Sequence, residues 1–204
     1  MTGVQQRGEN TQRLLLDATI ECILERGYND TSTRDISERA GVSRGAQQHH
    51  FPRKTDLVVQ AIRRFAERRL AELTERAEQV PDGPERLPAA IDLFWESMDG
   101  DLFLVAIEVW MAARNDEDLR DALAESQQRI ATAIGDSAVR MFGPDIAGLP
   151  TFQDDVQLTF NTLRGLTFLR ILQPGDDALE RQWAAARAHL IEHFAARRDD
   201  GRHE

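Results

Sequence analysis

Apolar residues recur along this chain at spacings of three and four, and no segment sustains the alternation of a half-buried strand. That period predicts an all-α fold of about nine helices. The first runs from Asn10 to Arg26, with Leu15, Ala18, Cys22 and Ile23 on one face and Gly27 as its stop. Two short helices follow before residue 51. A long one starts at Lys54 and runs to Gln79, with Leu57, Ala61, Phe65 and Leu73 inward. Beyond the break at Pro81-Asp82-Gly83-Pro84, helices are expected over 85–98, 101–113, 116–142, 152–172 and 177–197. Gly143-Pro144 through Pro150, and Pro174-Gly175, separate the last of these. The polar ends, 1–9 and 198–204, are expected to fray.

The stretch Thr31 to Leu57, TSTRDISERAGVSRGAQQHHFPRKTDL, carries the chemistry. Ser32 or Thr33 caps a short helix whose first turn holds Asp35, a carboxylate well placed at the positive helix end. Ile36 and Ala40 point inward, Gly41 permits a left-handed turn, Val42 fills the angle, and Ser43 caps a second short helix, Arg44 to His50. Two short helices about a glycine turn make a helix-turn-helix, whose second helix enters the DNA major groove. A capped turn before a polar surface helix gives the same spacing. Side-chain chemistry fits the DNA role without deciding between the two: Arg44 suits bidentate pairing with guanine, Gly45 and Ala46 admit close approach, and Gln47, Gln48, His49 and His50 add donors. No acidic residue falls between Ser43 and Lys54.

The wording Gly27-Tyr28, Thr33, Ile36, Ala40-Gly41-Val42-Ser43, Gly45, His49-His50-Phe51, Lys54 and Leu57 resembles the N-terminal domain of the TetR family of bacterial transcriptional regulators, over roughly residues 10–60. The resemblance implies that Thr33 and Ser43 contact phosphates and that Arg44, Gly45 and Ala46 face base edges. It places Gln48 and His49 against the backbone and Lys54 on a phosphate at the start of the fourth helix. Two positions depart from the pattern. Gln47 stands where the family has a core Leu, and Gln48 where it has Tyr, so which glutamine reads bases stays open.

Charge refines the picture. The chain of 204 residues has net charge −10 and pI about 5.0. Residues 1–60 are neutral, with 8 cations against 8 carboxylates, so all the acidity lies downstream. This excludes a protein that coats nucleic acid along its whole surface, and leaves a local site at the neutral end. The N-terminus shows no secretory signal and the chain no membrane span, which predicts a cytoplasmic protein without membrane partners. Cys22, the single cysteine, forms no internal disulfide and reads as a core residue before a redox sensor. His49 and His50 diverge by about 100° around a helix, so no metal site is expected, nor any cofactor. Neither a Ser-His-Asp pattern nor a phosphate loop appears, so an enzyme is not expected.

Downstream, Leu102 to Ala113 is apolar on every face except Glu108, which predicts a helix buried in the second domain. Glu108 there needs a partner, either Arg164 or Arg170 in an ion pair, or an effector in a pocket lined by Phe94, Trp95, Trp110, Met111, Phe160 and Phe168. The last helix carries two apolar stripes, one with Leu179, Trp183, Ala186, Leu190 and Phe194, the other with Ala184, Ala188, Ile191 and Ala195. With Gly165 on the preceding helix, this face predicts either burial in the monomer or a two-fold dimer interface through Gly165, Trp183, Arg187, Leu190 and Phe194. The family resemblance implies the dimer.

The expectation is therefore a homodimeric, ligand-responsive regulator, a repressor released by a small-molecule effector. Residues 1–52 bind a near-palindromic double-stranded DNA operator, and residues 53–204 bind effector and dimerise. The rivals are a helical ligand carrier without specific DNA binding and an enzyme using Glu108 as base.

Overall fold

The computed structural model describes residues 3–80, 82–98, 100–172 and 177–200, and among these no strand occurs. Among the described residues ten helices follow one another: α1 (Gly3–Asp30), α2 (Thr33–Ala40), α3 (Arg44–His50), α4 (Lys54–Ala77), α5 (Arg86–Ser97), α6 (Asp101–Ala113), α7 (Glu117–Phe142), α8 (Pro144–Ala147), α9 (Phe152–Leu172) and α10 (Asp177–Asp200). The tenth is α8, a single turn inside the expected break, where Pro144 takes the first helical position and its missing N–H costs nothing. α1 starts seven residues earlier than the apolar period predicts, because its polar N-terminal turns carry no stripe to read. The break at Pro174-Gly175 lies outside the described residues, as do Pro81 and the side chain of Arg170.

The chain forms two compact units. The first comprises residues 1–68 and 100–130, the second 69–99 and 131–204. The first unit thus extends past the division expected at residue 52. Its core explains why: Leu15, Ile23, Ile36 and Phe51 from the first three helices are closed over by Leu57, Val58 and Ala61 of α4, Val105 and Val109 of α6, and Leu119 and Leu123 of α7. The first three helices alone bury too little apolar surface.

This placement corrects the reading of α6. The helix belongs to the first unit and packs along α1. It is covered on one side only: Leu104 and Met111 are exposed, Met111 by 58%. Glu108 is exposed too, so the helix is not buried all round. Composition made it apolar on most faces, but composition does not say how many neighbours it has.

In the second unit the core gathers about Phe142, whose ring meets Phe94 at 5.8 Å, Phe152 at 5.9 Å and Phe194 at 4.9 Å. Trp95 of α5 stacks on Trp183 of α10, with centroids 4.7 Å apart and planes 13° from parallel. One turn away Arg187 grips Asp92 through both carboxylate oxygens, at 2.6 and 2.7 Å.

Candidate nucleic-acid interface

The turn between α2 and α3 is fixed by its own sequence. Ser32 is the N-cap of α2: its hydroxyl accepts from the Asp35 N–H at 3.2 Å, and Asp35 accepts from the Ser32 N–H at 2.9 Å, a reciprocal capping box. The Ser32 hydroxyl, donating to the same carboxylate, and then the Ser32 N–H, with the Arg26 guanidinium beside them, hold the Asp35 carboxyl below the usual carboxylate range. Thr33 is the first helical residue and not the cap. Gly41 closes α2 at φ 64°, the left-handed conformation its sequence position demands. Ser43 caps α3 by accepting from the Ala46 N–H at 3.3 Å.

Helix α2 is braced onto α1 from both ends. Arg26 donates to Asp35 at 2.9 Å, and Arg39 reaches Glu25 and, at 3.3 Å, Glu21. Ile36 is fully buried between the helices. The scaffold that carries α3 is therefore held by apolar packing and by three ion pairs.

Helix α3 shows what it offers to solvent. Arg44, Gly45, Gln48 and His49 are exposed, Ala46 and His50 half-buried. A Cβ at Gly45 would meet nothing within 4 Å, so the backbone there is open to a close neighbour. Gln47 is the exception, at 1% exposure, with its Nε2 donating to the Phe51 carbonyl at 2.5 Å. Of the two glutamines left open as base readers, Gln47, a candidate DNA contact, is thereby withdrawn from the surface of α3. It fills the core position where the family pattern has Leu, and its amide closes the last turn of α3. Gln48 is the glutamine left on the surface.

Lys54 also differs from expectation. Its ammonium donates to the Tyr28 carbonyl and sits 3.9 Å over the Tyr28 ring. Burial pushes its pKa down, against the opposing pull of Asp116 and Asp30. Its charge is turned inward to the end of α1 and not out to a phosphate. Sequence inspection also passed over Arg34, which follows Thr33, is exposed, pairs with Glu38 at 2.7 Å and shares a hollow with Arg44. Its signal was its place in the first turn of α2, beside the cap.

The other expected site residues do not form one group. Trp110 and Met111 lie in the first unit, with Glu108, whose carboxylate accepts from the Tyr28 N–H at 3.3 Å. Glu108 is thus neither a buried anchor nor half of a buried ion pair. Phe94 belongs to the aromatic core of the second unit and Trp95 to the stack on Trp183. In α9, Arg164 donates to Asn161 at 2.5 Å and lies 5.1 Å from the Phe160 ring, while Phe168 is 45% exposed. Of the expected interface, Leu190 and Phe194 are buried within the chain, and Arg187 is paired with Asp92. Gly165 is open, with nothing within 4 Å of a Cβ placed there.

A capped two-helix corner presenting a cationic, acid-free short helix defines a helix-turn-helix protein of the DNA-binding type. Comparison with known proteins agrees. Residues 15–61 match the family model for bacterial regulatory proteins of the tetR family. The chain is 32% identical over 178 residues to the uncharacterized HTH-type transcriptional regulator Rv2912c of Mycobacterium tuberculosis, covering 87% of this chain and 91% of that one. Among solved structures it resembles a TetR-family transcriptional regulator from Mesorhizobium loti, with TM-score 0.69 and 16% identity over 93% of this chain and 97% of that one. It also resembles the regulator FadR from Bacillus subtilis in complex with stearoyl-CoA, with TM-score 0.63 and 17% identity over 88% and 97%. The chain belongs to the TetR family of transcriptional regulators. No helix among the described residues is long and apolar enough to cross a membrane.

Proposed function

We propose that this regulator binds a near-palindromic operator as a homodimer and is a repressor released by a small-molecule effector. The observation that carries the reading is the exposed face of α3, where Arg44, Gly45, Gln48 and His49 stand together on a helix without a carboxylate, in a chain of net charge −10. Arg44 pairs with a base edge in the major groove, Gly45 and Ala46 admit the DNA, and Gln48, His49 and His50 lie along the strand. Thr33, Ser43 and Arg34 flank them on the phosphate side. Two copies of α3 related by a two-fold axis reach successive major grooves about 34–36 Å apart.

The dimer surface is formed by α9 and α10. Leu158, Gly165 and Phe168 of α9 share one exposed stripe, and Ala184 and Ala188 of α10 are exposed small residues that let helices approach closely. Leu158 is 55% exposed, a large apolar side chain left about half uncovered. The structurally similar FadR binds an acyl-CoA, which supports an apolar or acyl effector held by the helices after α4. Effector binding tilts α4 and changes the separation of the two α3 helices, so that they no longer fit both half-sites.

Selection of bound sequences from random duplex DNA, at near-physiological salt, tests the reading. An enriched inverted repeat is expected. Folded, dimeric protein that enriches no sequence overturns it in favour of a ligand carrier.

A further inference from the structure

Helix α1 is interrupted at Gly27, where the backbone leaves the helical region at φ 78° and ψ 165°. The N–H of Tyr28 is thereby turned away from the carbonyl four residues back that a continuous helix would offer. It is a main-chain donor at a corner, and such groups need a partner. That partner is the carboxylate of Glu108, reaching from α6 across 80 residues of sequence to accept at 3.3 Å. The positive φ favours glycine here, and the approach is close enough that a Cβ on Gly27 would stand 2.7 Å from Glu108 Oε1 and displace that carboxylate.

The rest of Tyr28 is equally engaged. Its carbonyl accepts from the Lys54 ammonium and from the Thr31 N–H, its ring lies under Lys54, and its hydroxyl is hydrogen-bonded to the Thr55 side chain. Thr31 closes the corner by donating to the Gly27 carbonyl at 2.8 Å. α2 starts at Thr33, immediately after this corner, and carries α3 with it. The direction in which the chain leaves Tyr28 therefore sets where the helix-turn-helix sits against α1. α4 holds that residue by its carbonyl and α6 by its N–H.

We infer that Glu108 is a positioning residue for DNA binding: by holding the Tyr28 N–H it fixes the corner from which α2 and α3 depart, and so ties α6 to the corner that carries the DNA-reading helix. The inference rests on the DNA-binding reading above. A corner that loses this grip spends part of its time in orientations that do not fit the operator, and apparent affinity falls by the fraction lost.

Glu108→Ala and Glu108→Gln separate the possibilities, since Gln keeps an acceptor oxygen and Ala does not. Glu108 is exposed, so both variants keep the core. In Glu108→Ala the Tyr28 amide exchanges faster with solvent, and affinity for the selected operator falls about three- to tenfold, the loss of about one hydrogen bond. In Glu108→Gln both return to near the wild-type value. Faster Tyr28 exchange in Glu108→Ala with unchanged operator affinity overturns the inference, leaving Glu108 a local brace. Equal losses in both variants overturn it as well, because charge and not the hydrogen bond is then at work. Wild-type protein that selects no operator instead overturns the DNA-binding reading, and the Tyr28 exchange rates still report whether the Glu108 contact exists.

Discussion

Gln47 and Gln48 are adjacent on a two-turn helix and have opposite fates, one inside the core and one facing solvent. Substituting Gln47→Leu exchanges a buried amide and its bond to Phe51 for apolar volume. Stability in urea is expected to stay within about 1 kcal/mol of wild type, with the selected sequence unchanged. Arg44→Ala is expected to weaken operator binding by about 1–3 kcal/mol and to relax preference at one base position. A binding selection on each variant reads both effects. From sequence alone either glutamine fitted the groove, since the 100° between neighbours says which residues diverge but not which one meets the core. Glu108 was harder: the spacing marked it as a lone carboxylate, but its partner is a main-chain N–H, which no side-chain pattern announces.

At the scale of elements, local chemistry was legible wherever it was short-range. Gly27 as a stop, the Ser43 cap and the left-handed Gly41 follow from residues within a turn of one another. The cap of α2 was narrowed to Ser32 or Thr33, and the capping box decides for Ser32. α8 was missed because four residues carry no period. Which residues join α9 to α10 was not legible. There Asp155 of α9, almost fully buried, accepts from Thr151 at 2.7 Å and meets His193 of α10 at 2.7 Å, with Arg197 nearby. Burial pushes its pKa up, yet the hydrogen bonds from His193 and Thr151 outweigh it and hold the carboxyl below its ordinary value. With the folded value lower than the unfolded one, the unfolded chain binds more protons near pH 4. The contribution is present above that pH and lost as pH falls through the folded value. Asp155→Asn is expected to lower the thermal midpoint at neutral pH, by about 1–2 kcal/mol in stability, and the gap should close in acid. Thermal melts of both proteins from pH 6 to pH 3 check it.

The whole molecule is less predictable from sequence, because which apolar faces meet within one chain and which are left for another depends on the packing of distant helices. The last helix showed two stripes of equal promise. One of them, with Leu190 and Phe194, is spent on the core. Charge tests the remaining surface: Leu158→Glu with Phe168→Glu places two carboxylates on the exposed stripe of α9. Sedimentation of the double variant is expected to show a folded monomer, and operator affinity should fall by more than tenfold as the two half-sites are no longer bound together.

The stacked indoles of Trp95 and Trp183 give this architecture an optical consequence. The chain has three tryptophans; two form that parallel pair in the second unit, and Trp110 stands apart in the first, edge-on to Phe103. Indoles stacked 4.7 Å apart couple in their excited states, so Trp183→Phe is expected to change the near-ultraviolet circular dichroism more than Trp110→Phe does. Each unit thus carries its own chromophore. Loss of the stacked pair's near-ultraviolet signal reports the parting of α5 from α10, and the emission of Trp110 reports the surroundings of α6, so melting can be followed unit by unit without a dye.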